Sequence, residues 1–121
     1  MARVLVAEDE ESVRSFVCRA LEGEGHQVKG VPDGSEALRA LSEERYDLLV
    51  TDIVMPGLDG IALALKTAKD YPDMPVLLMT GYSAEQQRAH NMEELVATVL
   101  LKPFSLRQIC DAVAEALQSA R

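Results

Sequence analysis

Tryptophan is absent, and Phe and Tyr together make up only 4% of the chain. With apolar residues at 48%, any core must therefore be built from Val, Leu, Ile, Ala and Met. Cysteine is scarce as well: Cys18 and Cys110 form no Cys-x-x-Cys pair and no Cys/His cluster. Both fall within helical patterns and read as free, buried thiols that act as small apolar residues. The N-terminal run Val4-Leu5-Val6-Ala7 turns acidic at Glu8, too soon for a secretory signal, so a structural disulfide is not expected. Basic residues are outnumbered, 12 Lys and Arg against 20 Asp and Glu, which leaves a formal charge of -8. That argues against the clustered cationic surface needed to neutralise nucleic-acid phosphates. No apolar run approaches the ~18 residues of a membrane span. There is no Gly-rich phosphate loop, no dinucleotide fingerprint and no His-rich metal site. His26 and His90 lack a nearby Ser or Cys partner and read as surface residues. The expectation is a cytoplasmic protein with one domain over residues 1–121.

What is present is an alternation. Short apolar runs occur at Val4–Ala7, Gln27–Val31, Asp47–Thr51, Val76–Met79 and Thr98–Leu101. The second alternates with polar residues, as an edge strand does, while continuous runs suit strands covered on both faces. Between them lie stretches with helical spacing. Val13, Phe16, Val17, Ala20 and Leu21 form one stripe, closed by Gly23 and Gly25. Ala37, Leu38 and Leu41 form a second, preceded by a turn and cap at Pro32-Asp33-Gly34-Ser35. Asp59-Gly60 opens a third, carrying Leu63, Leu65 and Ala68. A polar stretch at 84–95 is the poorest helix candidate. The last stripe is Leu106, Ile109, Val113, Ala116 and Leu117, introduced by a capping box of Ser105 and Gln108. Five strand–helix alternations predict an α/β, doubly wound, flavodoxin-like parallel sheet of five strands, with right-handed crossovers and strand order 2-1-3-4-5.

In such a sheet, ligands sit at the carboxyl ends of the strands. The first run ends in Glu8-Asp9-Glu10-Glu11, the third in Asp52, the fourth in Thr80 and the fifth in Lys102. Glu8, Asp9 and Asp52 in one pocket would repel each other unless a cation lay among them, and hard oxygen ligands suit Mg²⁺. Glu10 and Glu11 read instead as the acidic start of a helix, favoured by its dipole. On spacing alone, Asp52 is equally a turn cap or a nucleophile towards a phosphoryl group. Phosphoryl transfer needs positioning and charge neutralisation, which a metal, Lys102 and the Thr80 hydroxyl would supply. Taken singly, Lys102 also fits a surface lysine and Thr80 an ordinary strand exit. Lys102-Pro103 reads as an abrupt turn that a cis peptide would suit.

Together, Val4-Leu5-Val6-Ala7-Glu8-Asp9-Glu10, the segment Asp47 to Gly60, Met79-Thr80-Gly81 and Leu100-Leu101-Lys102-Pro103-Phe104 resemble the receiver domains of bacterial two-component response regulators. The resemblance covers essentially the whole chain. It implies that Asp52 is the phospho-acceptor and Asp9 a direct Mg²⁺ ligand. Glu8 would act nearby through water, and the Val54 backbone carbonyl would complete the protein's share of the metal shell. Thr80 and Lys102 would be the switch hydroxyl and the phosphate-binding lysine. The implied donor is a phosphohistidine on a histidine kinase or histidine phosphotransferase. The implied output is contact with another protein rather than catalysis or binding to nucleic acid or membrane. Ala2 to Glu10, Thr51 to Pro56 and Leu101 to Arg107 further resemble a stand-alone subtype whose members act as phosphorylation-controlled adaptors of the ClpXP protease.

Two departures from the family pattern stand out. Many receivers carry an aromatic residue three positions before the lysine, where this chain has Val99, and Tyr82 is a candidate substitute. Val54, two residues after the acceptor, offers no polar group to orient water, so slow self-dephosphorylation is expected. Val54 also counts against a phosphatase, which would place its general acid there. The acids at 8–11 count against a flavin-binding electron carrier. Two further alternatives are a phosphorylation-independent binding module and a receiver excised from a longer transcriptional regulator.

Overall fold

The computed structural model describes residues 2–81 and 98–119. Among these, β1 (Arg3–Ala7), α1 (Glu11–Gly23), β2 (Gln27–Val31), α2 (Gly34–Glu43), β3 (Leu48–Asp52), α3 (Gly60–Asp70), β4 (Val76–Thr80), β5 (Thr98–Leu101) and α4 (Leu106–Ser119) follow in chain order. The strands form one parallel five-stranded sheet in the order β2-β1-β3-β4-β5, as the alternation predicts. The helix expected at 84–95, with Tyr82 and His90, lies outside the described residues.

The three inner strands are buried along almost their whole length because their side chains feed two separate cores. Leu5, Leu49 and Leu78 face α2 and α3, joined by Ala37, Leu41, Ile61 and Leu63. Val4, Val6, Val50, Leu77 and Met79 face α1 and α4, joined by Val17, Leu21, Ile109 and Val113. Each such aliphatic side chain contributes about 1.5–3 kcal/mol when fully buried. β2 is an edge strand, as its polar alternation implies. β5 is the other edge and is only partly buried, although its composition resembles that of an inner strand.

The helix starts are set locally. Asp33 accepts a hydrogen bond from the Glu36 amide, and Asp59 one from the Ala62 amide, both at 2.8 Å. Ser105 and Gln108 form the reciprocal capping box: Ser105 Oγ accepts from the Gln108 amide at 3.1 Å, and Gln108 Oε1 from the Ser105 amide at 2.8 Å.

Three stripes need correction. On α3 the buried residues are Ile61, Leu63, Ala64 and Thr67, with Leu65 and Ala68 only half-buried, because the face turned to the core runs through Ile61, Ala64 and Thr67 rather than through Leu65 and Ala68. Phe16 and Leu106 are exposed, since α1 and α4 turn those positions outward; Phe16 instead meets Phe104, with ring centroids 6.3 Å apart. Both cysteines are free; Cys110 is buried and Cys18 only partly so. His26 is half-buried just before β2, where its Nδ1 accepts from the Ala2 amide at 3.2 Å.

Candidate functional site

The carboxyl ends of β1, β3, β4 and β5 deliver Glu8, Asp52, Thr80 and Lys102 to one rim of the sheet. The β3 end is fixed first. The Ile53 amide donates both to the Met79 carbonyl, continuing the ladder, and to Asp52 Oδ1, each at 3.0 Å. The chain then loops out through Gly57, whose φ of 75° is left-handed. It returns at Gly60, whose amide donates to the Ile53 carbonyl at 2.8 Å. A side chain at Gly60 would collide with the carbonyl of Asp52, so α3 starts directly against the backbone of that residue.

Glu8 follows β1 and is fully buried at 0% exposure. Its amide donates to the Val31 carbonyl of β2 at 3.0 Å. Its carboxylate takes a hydrogen bond from the Glu10 amide on Oε2 at 3.0 Å, and Lys102 Nζ lies 2.9 Å from Oε1. The same ammonium lies 3.3 Å from Asp52 Oδ1. Lys102 is itself positioned by the sheet, since its amide donates to the Thr80 carbonyl at 2.8 Å, and the Lys102-Pro103 peptide is cis. Asp9 is exposed, and Glu10 is the N-cap of α1 with Glu11 in its first turn. Thr80 is fully buried at the end of β4. Val54 is exposed in the loop after Asp52.

Burial dominates the electrostatics. It pushes the Glu8 carboxyl above the usual carboxylate range, despite the opposing pull of the Glu10 amide and Lys102. It raises Asp52 in the same way, against Lys102 and the Ile53 amide. Burial works against the charge of Lys102, but its hydrogen bond to Glu8 and the charges of Asp52 and Glu8 outweigh that and hold it above the usual lysine range. Glu8, Asp9 and Asp52 each place a carboxylate oxygen within 4.8 Å of the others. Among the described residues, three carboxylates face the ammonium of Lys102, so the pocket has room in its charge balance for a divalent cation. Oxygen donors at this spacing fit Mg²⁺ better than a softer metal.

The structure thus brings together Glu8, Asp9, Asp52 and Lys102, with Thr80 at the adjoining strand end. One expectation shifts in detail: Lys102, assigned to a phosphoryl oxygen, rests here on Glu8 and Asp52. The sequence reading missed Arg14, which lies within α1 and whose Nη1 donates to the Glu8 carbonyl at 2.8 Å. Its one sequence signal is its place in the first turns of the helix that follows the acidic run.

Known proteins share this sequence pattern and this fold. The response regulator receiver domain family matches residues 4–114. The chain is 38% identical to the response regulator receiver protein CpdR of Brucella abortus, over 99% of this chain and 100% of that protein. It is also 38% identical to the sensor kinase CckA of the same organism, but there it spans only 13% of the relative. The receiver domain of the Francisella response regulator 1452 superposes with a TM-score of 0.88 at 27% identity over 100% of both chains. TrrA of Thermotoga maritima, in complex with Mg²⁺-BeF, does so with a TM-score of 0.86 at 29% identity, over 96% of this chain and 99% of that one. No helix among the described residues is long and apolar enough to cross a membrane. The protein belongs to the response regulator receiver domains of two-component signalling.

Proposed function

We propose that residues 1–121 form one cytoplasmic receiver unit that accepts a phosphoryl group on Asp52 and signals by binding another protein. The observation that carries this reading is the pairing of Asp52 with Lys102 at 3.3 Å beside the acidic trio of Glu8, Asp9 and Asp52. An Asp52 carboxylate oxygen attacks the phosphorus of a phosphohistidine on a histidine kinase or histidine phosphotransferase. The N–P bond breaks, its electron pair returns to the imidazole, and an aspartyl phosphate remains. Lys102 moves from Glu8 to the incoming phosphoryl oxygens, and Thr80 donates its hydroxyl to another. Glu8, Asp9, Asp52 and the Val54 carbonyl would hold Mg²⁺, which when bound offsets negative charge on the transferring group. The Mg²⁺-BeF complex of TrrA, on a closely similar fold, supports that assignment.

The full-length match to CpdR supports a stand-alone output, and we extend it to the adaptor role towards ClpXP that the sequence resemblance implies. Intact-mass spectrometry after incubation with acetyl phosphate tests the chemistry. One phosphoryl group is expected on the wild type with Mg²⁺, and none on Asp52→Ala or without the metal. No adduct, under conditions that label a control receiver, would favour a phosphorylation-independent binding module. For the adaptor role, degradation of a ClpXP substrate should depend on the presence and phosphorylation state of the protein; identical rates in every case would remove it.

A further inference from the structure

Glu8 is held through both of its backbone polar groups. Its amide is bound by the Val31 carbonyl of β2, and its carbonyl accepts from Arg14 Nη1 at 2.8 Å. Arg14 reaches that carbonyl by lying across β2 at Gly30, the residue paired with Val6 of β1. A Cβ at position 30 would sit 3.2 Å from Arg14 Cγ, 3.3 Å from Arg14 Cδ and 3.0 Å from Cys18 Sγ. The bare backbone of Gly30 is therefore the slot in which the Arg14 stem runs. Past Glu8 the chain turns at once through Asp9 to Glu10, whose amide returns to Glu8 Oε2 at 3.0 Å. A guanidinium anchored on the Glu8 carbonyl fixes the peptide plane from which Asp9 projects and from which the Glu8 carboxylate points at Lys102.

We infer that Arg14, seated over Gly30, is a positioning residue that sets the Glu8–Glu10 turn for divalent-cation binding. It does so through a backbone carbonyl and touches no reacting atom. Without it, the Glu8 carbonyl would be left buried without its donor, and the turn would relax to find another. This inference rests on the reading of the acidic trio as a Mg²⁺ site.

The test is Mg²⁺ titration calorimetry, with amide hydrogen exchange on the metal-free protein as a second readout. Arg14→Ala lies on a half-exposed helical position where Ala is well tolerated. It should weaken Mg²⁺ binding about tenfold, the low end of what partners that orient metal ligands contribute. It should also speed exchange of the Glu10 amide without metal present. To isolate the slot, Gly30→Ala is made in a Cys18→Ala background, which removes the second neighbour. There it should weaken Mg²⁺ binding as Arg14→Ala does, and the two together should lose no more than either alone. Losses that multiply would overturn the link between Gly30 and Arg14. A lower melting temperature of Arg14→Ala with unchanged Mg²⁺ affinity would make Arg14 merely structural and overturn the inference. A wild type that binds no Mg²⁺ would overturn the functional reading and this inference with it.

Discussion

The two ends of the sheet each carry a short ion pair. At the amino ends of the strands, Arg3 and Glu44 approach to 2.8 Å, with side chains 43% and 46% exposed. At the carboxyl ends, Lys102 and Glu8 approach to 2.9 Å, with side chains 24% and 0% exposed. The distances are nearly equal, yet the two pairs should behave differently. Arg3 and Glu44 stay in water, where screening and side-chain entropy cancel most of the attraction. Glu8 has lost its water, so its charge depends on the ammonium that faces it. Burial rather than distance separates the two pairs.

Breaking the buried pair should have the largest effect. Lys102→Met leaves Glu8 and Asp52 facing each other without a cation, and should destabilise the metal-free protein at pH 7 by about 3 kcal/mol. Urea denaturation in EDTA reads this, and Mg²⁺ should restore part of the loss. A loss under about 1 kcal/mol would place the pocket in the same class as the surface pair. Next comes Asp52→Asn, which removes one negative charge and leaves Lys102 to Glu8. In metal-free buffer at pH 7 it should raise the melting temperature by about 3–5 °C, as a gain near 1 kcal/mol does in a chain of this size.

The pH dependence of that gain sharpens the comparison. The folded state binds the Asp52 proton more tightly than the unfolded state does, because burial raises its carboxyl. That contribution is present below the ordinary carboxylate range, about pH 4, and is lost as pH rises through the raised value. The melting-temperature difference between Asp52→Asn and wild type should therefore be small near pH 4 and grow towards pH 7. A difference that does not change with pH would place its origin in packing rather than charge. The smallest effect belongs to the exposed pair. A double-mutant cycle of Arg3→Ala and Glu44→Ala should show a coupling near the scatter of the measurement, and none in high salt.

Much of this is legible in the sequence. The inner strands announced themselves because burial on both faces demands uninterrupted apolar residues, as in Asp47–Thr51 and Val76–Met79. The caps at Asp33, Asp59 and Ser105 were legible because capping is a local interaction between residues three apart. Convergence of Glu8, Asp52, Thr80 and Lys102 followed from topology, since all four end strands of one parallel sheet. What stayed hidden depends on how elements sit on one another. The outward turn of Phe16 and Leu106, the phase of α3 and the half-exposure of β5 are set by packing angles and strand position. The Arg14 contact with the Glu8 carbonyl was hidden because a backbone acceptor leaves no mark in the residue pattern.

Lys102 and Glu8 stand 94 residues apart, almost the full length of the chain. Glu8, Asp9 and Asp52 all precede Lys102 in the chain, so synthesis delivers the three carboxylates before the lysine. Until β5 docks, those carboxylates have only water, protons or a metal ion to balance them. Contacts of such long sequence separation form late because the intervening loop must close first. Of these four charged groups the ammonium is the last to be made, and its contact with Glu8 ties the two ends of the polypeptide into one structure.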